Sequence, residues 1–270
     1  MNAEWIITNF VIIDDLMRIL NHQSHRLAQV PDAEILTIAV VAAKYFQNHH
    51  ECSVEILQQL GYLSGRISVS RFNRRLHALA DWLAFVPQTL GEWWTRGEVF
   101  VLDSMPVPVC RRVRARRCRK VRGRLYGGYC AAKKEKFFGG RLHLVSTPEG
   151  VPVSFILLPG ALHDLTPIHD VLFGLPPGAK VLADKAYNSA HDEASILADT
   201  GVRLVPVRKV NMEPNHWIDE IDWKTHRKGI ETINSQLESM GLQRLKARTN
   251  QGFDMKVQAS LIAVMTTNAN

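Results

Sequence analysis

The sequence predicts an α/β protein in which a helical N-terminal domain precedes a domain built on a mixed β-sheet. Apolar residues recur at helical spacing in the first part of the chain, whereas short apolar runs of strand type alternate with helical segments over residues 98–241. A chain of 270 residues can bury one large core with a smaller helical domain beside it. We therefore place the helical domain at residues 1–95 and the sheet domain at residues 96–270.

The helical domain contains one segment that is apolar nearly all round. This segment, residues 32–46, is typical of a buried helix, and Pro31 followed by Asp32 marks its start as a turn and N-cap pair. A second helix is predicted over residues 53–60, where it ends at Gly61.

A further helix is predicted over residues 70–85, after which residues 87–97 break the pattern. Its apolar stripe consists of Phe72, Leu76, Leu79 and Leu83. Three arginines lie off that stripe, namely Arg71, Arg74 and Arg75. Arginines at the start of the second helix of a helix–turn–helix contact DNA. In a helical bundle they would simply be solvated, and the sequence leaves both interpretations open.

The sheet domain begins with strands and continues with alternating elements. Strands are predicted at residues 98–102, 141–146, 151–158, 180–183 and 202–207. Helices are predicted at residues 164–173, 189–200 and 224–240. Turn residues at 147–150 join the second and third strands into a hairpin. Three meandering strands followed by alternating helices and strands are the element order of the ribonuclease H-like α/β fold.

The positive charge of the chain is concentrated in one segment. The net charge is +7, yet residues 111–141 contain thirteen Lys or Arg and a single acid, Glu135, which gives a local net charge of +12. Such a segment favours a polyanionic partner, which for a soluble protein is usually nucleic acid. We expect it to form a basic insertion at residues 106–140, between two strands of the sheet.

Several other classes of protein are disfavoured. No apolar run reaches the roughly 20 residues that a membrane helix requires, and the N-terminus lacks the basic flank of a signal peptide. Four cysteines in a chain of this length indicate reduced thiols and a cytoplasmic protein. Three of them lie in the basic segment, but their gaps are irregular and no CxxC pair exists, so free thiols are favoured over a zinc site.

Three acidic residues stand out by their positions. Asp103 follows the apolar run 98–102 and Asp184 follows the run 180–183, so each ends a buried strand. Neighbouring strand ends share one crevice in an open α/β sheet. Glu231 lies beside apolar residues on the last predicted helix. Carboxylates gathered in one place repel each other unless a cation joins them, and oxygen ligands select Mg²⁺ or Mn²⁺. With two ions, such a site activates a water or a 3′-hydroxyl towards a phosphodiester.

Each acid also has a purely structural interpretation. Asp103 could be an ordinary turn residue, and Asp184 could cap a helix or form a surface ion pair. Glu231 could be an exposed helix acid bonded to Arg227 or Lys228, in which case Glu238 and Glu220 are the available alternatives for the third acid. The three together, in this order and on these elements, are more specific than any one of them.

Several motifs resemble those of one protein family. They are VLDSMPVPVC at 101–110, GYCAAKKEKFFGGRLHLV at 128–145, LPGALHD at 158–164, LADKAYNS at 182–189, RKGIETINSQLE at 227–238 and RLKARTNQGF at 244–253. With these motifs the chain resembles the DDE transposases of bacterial insertion sequences, most closely those of insertion-sequence family 982. The resemblance implies that Asp103, Asp184 and Glu231 are catalytic and bind two Mg²⁺ ions, or Mn²⁺. It also implies nicking of the element end and joining of the freed 3′-hydroxyl to target DNA.

The last helix departs from the pattern of related transposases, which carry a tyrosine, arginine, glutamate and lysine series. Arg227 and Glu231 keep their spacing, but Lys224 stands at the tyrosine position and Glu238 at the lysine position. We therefore expect DNA phosphates to contact other basic residues as well. The expected contacts are Arg111, Arg112, Arg114, Arg116, Arg117, Arg119, Lys120, Arg122, Lys133, Lys134, Lys185, Arg227, Lys228, Lys246 and Arg248.

Other side chains are expected to support the site. His163, Asp164 and Tyr187 are candidates, with Asp164 favoured as a helix N-cap over a role beside the metal ligands. The aromatic residues within the basic segment are Tyr126, Tyr129, Phe137 and Phe138. These could stack on unpaired bases, but packing beneath the segment is favoured.

The leading hypothesis is thus a DNA transposase that cleaves insertion-sequence ends and transfers the strand to target DNA. A ribonuclease H-like nuclease without strand transfer and an inactive DNA-binding relative are the alternatives. The expected partner is double-stranded DNA, and a homodimer on DNA would hold two ends together. We expect a bacterial cytoplasmic protein that associates with the nucleoid when it is bound to DNA. If the N-terminal helices form a helix–turn–helix, they could bind the DNA ends.

Overall fold

The elements follow the predicted order, with helices first and a sheet afterwards. The computed structural model describes residues 1–131, 133–210 and 212–269. Its helices are α1 (Ala3–Ile19), α2 (Asp32–Phe46), α3 (His50–Gln59), α4 (Val69–Ala78), α5 (Ala80–Trp94), α6 (Ile168–Leu172), α7 (Ala190–Thr200), α8 (Trp217–Ser239) and α9 (Asn250–Asn268). Its strands are β1 (Val99–Cys110), β2 (Gly127–Cys130), β3 (Glu135–Ser146), β4 (Pro152–Pro159), β5 (Lys180–Ala183) and β6 (Arg203–Pro206).

Residue contacts divide the chain into two units. One consists of residues 1–89 together with 237–270, and we call it the helical unit. The other consists of residues 90–236, and we call it the sheet unit. The C-terminal segment, which the sequence analysis placed in the sheet domain, is grouped by its contacts with the helical unit.

The helical unit is organised around α2 and α9, which pack against each other. Leu36 and Val40 on α2, and Leu261 and Ile262 on α9, are fully buried. A helix that is apolar on all sides must be covered by other helices. α9 therefore packs on α2, which provides the apolar surface that α9 needs, although the sequence analysis placed this segment in the sheet domain.

The helix predicted at residues 70–85 is in fact two helices, α4 and α5, which meet at Leu79. α5 continues through Pro87 as far as Trp94, so the break predicted at residues 87–97 is wrong for most of its length. A proline costs a helix one backbone donor, but the apolar burial along α5 outweighs that cost. The fully buried residues along this helix are Leu83, Val86 and Leu90.

β1 is the central strand of the sheet unit. It pairs antiparallel with β3 and parallel with β5, and β5 pairs parallel with β6. The strand order is β2–β3–β1–β5–β6, and β4 also pairs with β3. The predicted α/β class with a mixed sheet and a hairpin of β3 and β4 is confirmed.

Two strands, β1 and β3, are longer than the sequence indicated. β1 continues to Cys110 because β3 pairs with it along almost its whole length, so Asp103 lies within a strand and not at its end. The predicted basic insertion at residues 106–140 therefore contains parts of three strands. β3 is buried on both faces from residue 137 onward except at Arg141.

The helices of the sheet unit differ from the predictions mainly at their ends. α6 is a short helix of residues 168–172 where residues 164–173 were predicted. α7 begins after the N-cap Ser189 and ends at Gly201, as predicted. α8 begins at Trp217, seven residues before the predicted start at residue 224.

Ion pairs attach the first turns of α8 to the beginning of two parallel strands. Lys180, the first residue of β5, contacts Asp222 at 2.6 Å and Asp219 at 3.0 Å. Arg203, the first residue of β6, contacts Asp219 at 2.7 Å. α8 therefore starts beside the amino ends of these strands.

A close contact between α5 and β4 allows a test of the packing in the sheet unit. A Cβ atom added at Gly91 would collide with the backbone carbonyl oxygen of Val153, whereas one added at Gly97 meets its nearest atom at 3.8 Å. We expect Gly91→Ala to lower the free energy of unfolding by about 1–3 kcal/mol, because backbone atoms must shift. Gly97→Ala is the matched control and should stay within about 0.5 kcal/mol. Urea denaturation measures both, and equal stability of the two variants would contradict this packing.

Candidate active site

Asp103 and Asp184 lie next to each other on neighbouring parallel strands. Leu102 on β1 is paired with Ala183 on β5, so the following residue on each strand is one of the two aspartates. Side chains alternate between the faces of a strand, and residues that follow paired positions therefore leave the same face. The register thus brings both predicted carboxylates to one place on one face of the sheet.

The Asp103 carboxylate lies in a restricted, polar environment. The backbone N–H of Ser104 donates to Oδ1 at 2.7 Å, and the side-chain amide of Asn234 donates to Oδ2 at 2.9 Å. The pKa of Asp103 is raised to about 6, first by burial and then by the negative charges of Asp184 and Asp164, against the lowering effect of the two hydrogen bonds. A nearby cation would stabilise the ionised form of this carboxyl group.

Asp184 is exposed and shapes the turn that follows β5. Its Oδ1 accepts a hydrogen bond from the backbone N–H of Lys185 at 2.6 Å, so it caps the short 3₁₀ turn Lys185–Tyr187. Asp184 thus acts as a cap through Oδ1, as its structural interpretation predicted, and this role does not use Oδ2. The cap also holds the carboxylate beside the strand end.

Glu231 does not contact the two aspartates in this structure. Its Oε1 accepts from Arg227 Nε at 2.7 Å, and the side chains of both residues are more than half exposed. The predicted alternative, an exposed helix acid bonded to Arg227, describes this conformation. Within the described ranges of the chain, no three His, Cys, Asp or Glu side chains are grouped as a preformed metal site.

Asn234 shows nevertheless which face of α8 approaches the aspartates. It lies three residues after Glu231, and residues three apart share a helix face. Ile230 and Ile233 are buried, which fixes the rotation of the helix about its axis. Since Asn234 bonds directly to Asp103, Glu231 lies one turn away from the site on the same helix. The sequence analysis did not single out Asn234, although its spacing from Glu231 was a signal.

The donors at this site fit a hard divalent cation. Asp103 and Asp184 supply carboxylate oxygens on the same face of the sheet, and the pKa of Asp103 is raised by burial and by neighbouring negative charge. Oxygen donors of this kind prefer Mg²⁺ or Mn²⁺.

A polar network supports the backbone immediately after Asp103. Ser104 Oγ donates to Asp164 Oδ1 at 2.9 Å, and Arg141 Nη1 lies 3.4 Å from the same oxygen. Asp164 does not cap α6, which begins only at Ile168, so the favoured N-cap interpretation is wrong. The turn after β4 brings Asp164 to Ser104 instead.

Tyr187 and His143 form a second contact on the side of the sheet that carries the α6 and α7 core. Tyr187 is almost fully buried in that core, and its hydroxyl lies 3.1 Å from Nδ1 of the buried His143. Tyr187 was predicted to support the site, whereas no role was predicted for His143. His163, the third predicted support, is exposed, and its Nδ1 accepts from the backbone of Leu165.

Comparison with known proteins identifies the family. A protein-family model described as a transposase DDE domain matches residues 94–266. The chain belongs to the transposase DDE domain family. No curated protein and no solved structure matched it.

Membership makes the chain a DDE transposase, an enzyme class that acts on DNA and generally uses a divalent metal. The matched range begins within α5 and extends into α9, so it covers all the strands of the sheet. Across the described residues, no helix is long and apolar enough to cross a membrane.

The basic segment of the transposase emerges from the sheet beyond β1. A 3₁₀ turn at Arg112–Arg117 displays its arginines to solvent. Most of the predicted DNA contacts of this segment are exposed, while Lys120 donates to the carbonyl oxygen of Val109 at 3.0 Å. Lys185 and Lys228 are also exposed. Lys246 and Arg248 belong to the helical unit.

The aromatic residues of the basic segment separate into two groups. Phe137 and Phe138 are buried in the sheet unit, as the packing interpretation predicted. Tyr126 lies against Phe138 with ring centroids 6.2 Å apart, and only Tyr129 among the four predicted residues is exposed. All four cysteines of the transposase are free thiols.

The raised pKa of Asp103 leads to a stability test. A carboxyl with a pKa of about 6 in the folded protein and 3.8 in the unfolded chain destabilises the fold as the pH rises from about 4 to 6. Asp103→Asn should therefore raise the free energy of unfolding at pH 7.5, in EDTA, by up to about 3 kcal/mol. The gain should shrink towards pH 4, where the wild-type carboxyl is protonated in the folded protein and becomes protonated in the unfolded chain as well.

Denaturation of both proteins between pH 4 and 7.5 measures this difference. Asp170→Asn, on the exposed surface of α6, is the control and should show no such pH-dependent gain. A stability difference for Asp103→Asn that stays constant with pH would contradict the raised pKa.

Proposed function

We propose that this transposase cleaves DNA at the ends of an insertion sequence and joins the freed 3′ end to target DNA, with Asp103, Asp184 and Glu231 as its catalytic carboxylates. The observation that carries the proposal is the register of β1 and β5, which aligns two carboxylates, together with the contact of α8 through Asn234. The strand arrangement, in which β1, β3 and β4 pair antiparallel and β5 and β6 continue parallel to β1, supports a ribonuclease H-like fold. The motifs favour insertion-sequence family 982.

Asp103, Asp184 and Glu231 would hold two Mg²⁺ or Mn²⁺ ions. Bound there, the ions would activate a water or 3′-hydroxyl and stabilise the leaving oxygen of the phosphodiester. Asp103 contributes a carboxylate whose ionised form is costly without a positive partner, and Asp184 contributes an exposed one beside it.

Glu231 can join the aspartates at small energetic cost. Its partner Arg227 holds it through an ion pair in which both side chains are more than half exposed. Exposed pairs of this kind contribute only about 0.2–1 kcal/mol. A change of side-chain rotamer thus frees Glu231 for the site and frees Arg227 for a DNA phosphate.

Other residues of the transposase position these groups. The hydrogen bonds among Ser104, Asp164 and Arg141 restrain the strand directly after Asp103. The contact between His143 and Tyr187 restrains the turn directly after Asp184. Such supporting contacts keep the reacting geometry narrow.

The basic residues would bind the DNA backbone around the site. Lys and Arg neutralise phosphates without reading sequence, so they hold the duplex while the carboxylates act on one bond. The exposed 3₁₀ turn at Arg112–Arg117 supports this assignment. A homodimer would hold two element ends together. A nuclease without strand transfer is the second candidate, and the test below separates the two.

The proposal predicts the effect of removing a carboxylate. We expect Asp103→Asn and Glu231→Gln each to reduce Mg²⁺-dependent cleavage at least about 100-fold, since even the outer contacts of metal ligands cost 10–100-fold when mutated. The substrate is a labelled duplex made from the DNA that flanks the coding sequence. Glu220→Gln is the matched control, because Glu220 is an exposed glutamate on the same helix.

Joining of the cleaved 3′ end to a supercoiled plasmid distinguishes the two functions. A transposase yields plasmid covalently linked to the labelled strand, whereas a nuclease yields cleaved duplex alone. If the Glu231→Gln variant cleaves DNA at the wild-type rate, Glu231 is not a catalytic residue. Cleavage without any joined product would overturn strand transfer.

A further inference from the structure

A second basic surface lies entirely within the helical unit. It is a cleft of about 830 Å³ whose walls are the first residues of α3, one side of α4 and the segment 244–256 that leads into α9. Its cationic lining residues are Arg74, Arg244, Lys246, Arg248 and Lys256. Glu51 is the acid that stands against these five among the described lining residues, so the lining carries a net charge of about +4.

Four of these cations are available for a ligand. Arg74, Arg244, Lys246 and Arg248 are exposed, and none of them forms an ion pair within the described part of the chain. Arg75, the neighbour of Arg74, behaves differently, because it pairs with Asp32 and donates to the carbonyl oxygen of Val30. α4 thus uses one arginine for packing and directs another into the cleft.

Lys256 lies deeper in the same wall. Its Nζ donates to the carbonyl oxygen of Asn48 at 2.6 Å. The pKa of the neighbouring His50 is lowered to about 4, first by burial and then by the positive charge of Lys256. His50 is therefore neutral at pH 7, and the positive potential of the cleft comes from its lysines and arginines.

Backbone dipoles strengthen this potential, because three helices begin at the cleft. The lining includes His50 at the start of α3, Val69 at the start of α4 and Thr249 at the start of α9. The first turns of α4 and α9 contain no acidic residue. Helix N-termini carry a partial positive charge and favour phosphate groups.

We infer that this cleft binds the sugar–phosphate backbone of double-stranded DNA. The inference rests on the proposed function only in taking DNA as the ligand, and it does not depend on the chemistry at Asp103. An open cleft with four exposed, unpaired cations fits a run of phosphates better than one enclosed anion. The helical unit therefore holds DNA through a surface of its own, in addition to the basic segment of the sheet unit.

The test measures the salt dependence of DNA binding by the full-length transposase. Binding of a fluorescent 30-base-pair duplex is followed in EDTA, so that no cleavage occurs, between 50 and 200 mM KCl. Each lost phosphate contact lowers the slope of log Kobs against log salt by about 0.9. We expect the double variant Arg74→Glu/Arg248→Glu to lose about two units of slope and at least tenfold in affinity at 100 mM KCl.

The matched control is the double variant Arg26→Glu/Arg66→Glu. Both arginines are exposed residues of the same unit and lie outside the cleft lining, so net charge changes equally. The control should keep the wild-type slope, and unfolding curves should show that both variants fold. Equal slopes for the two double variants would overturn the inference.

Two further outcomes separate the possible explanations. Inorganic pyrophosphate is titrated against both variants with thermal unfolding as the readout. If pyrophosphate stabilises the control but not the cleft variant while their DNA slopes are equal, the cleft binds a small phosphate and the inference fails. If the slopes differ as expected but the wild type cleaves no DNA in Mg²⁺, the proposed function fails and the DNA-binding cleft stands.

Discussion

The register between β1 and β5 is the constraint on which the rest of the site depends. Leu102 faces Ala183 across the parallel pair, so the two aspartates follow at matching positions. Because side chains alternate along a strand, a slip of one residue in either strand would send one carboxylate to the opposite face of the sheet. The buried residues before each aspartate prevent that slip, since they would be moved out of their core. Core packing thus fixes the relative position of the two proposed catalytic aspartates.

α8 contacts both β5 and Asp103 of the sheet. Its first turns are tied to the beginning of β5 through Lys180, and three turns later Asn234 reaches Asp103 beyond the other end of that strand. The helix therefore runs along the sheet, and Glu231 lies about one turn from the residue that contacts Asp103. In the proposed site, Glu231 has only an exposed, weak partner, whereas Asp103 is held by hydrogen bonds from Ser104 and Asn234, so Glu231 can move while Asp103 remains in place.

Positive charge is distributed over both units of the transposase. In the sheet unit it comes from one contiguous segment that leaves the sheet after β1. In the helical unit it comes from Arg74 on α4 and from residues 244–256, which are far apart in the sequence and share one cleft. α2 packs against α9, and this apolar contact holds residues 244–256 beside α4, so that their charges lie in one cleft.

The sequence by itself determined the class of the fold, the strand on which or after which each aspartate lies, and the concentrated charge of the basic segment, because these depend on local periodicity and composition. It did not determine the length of β1, since hydrogen bonds to β3 extend that strand beyond Asp103. It also missed the partners Asn234 and His143, the use of Asp164 beside Ser104, and the assignment of α9 to the helical unit. Those features are contacts between residues distant in the chain, and only tertiary packing brings their surfaces together.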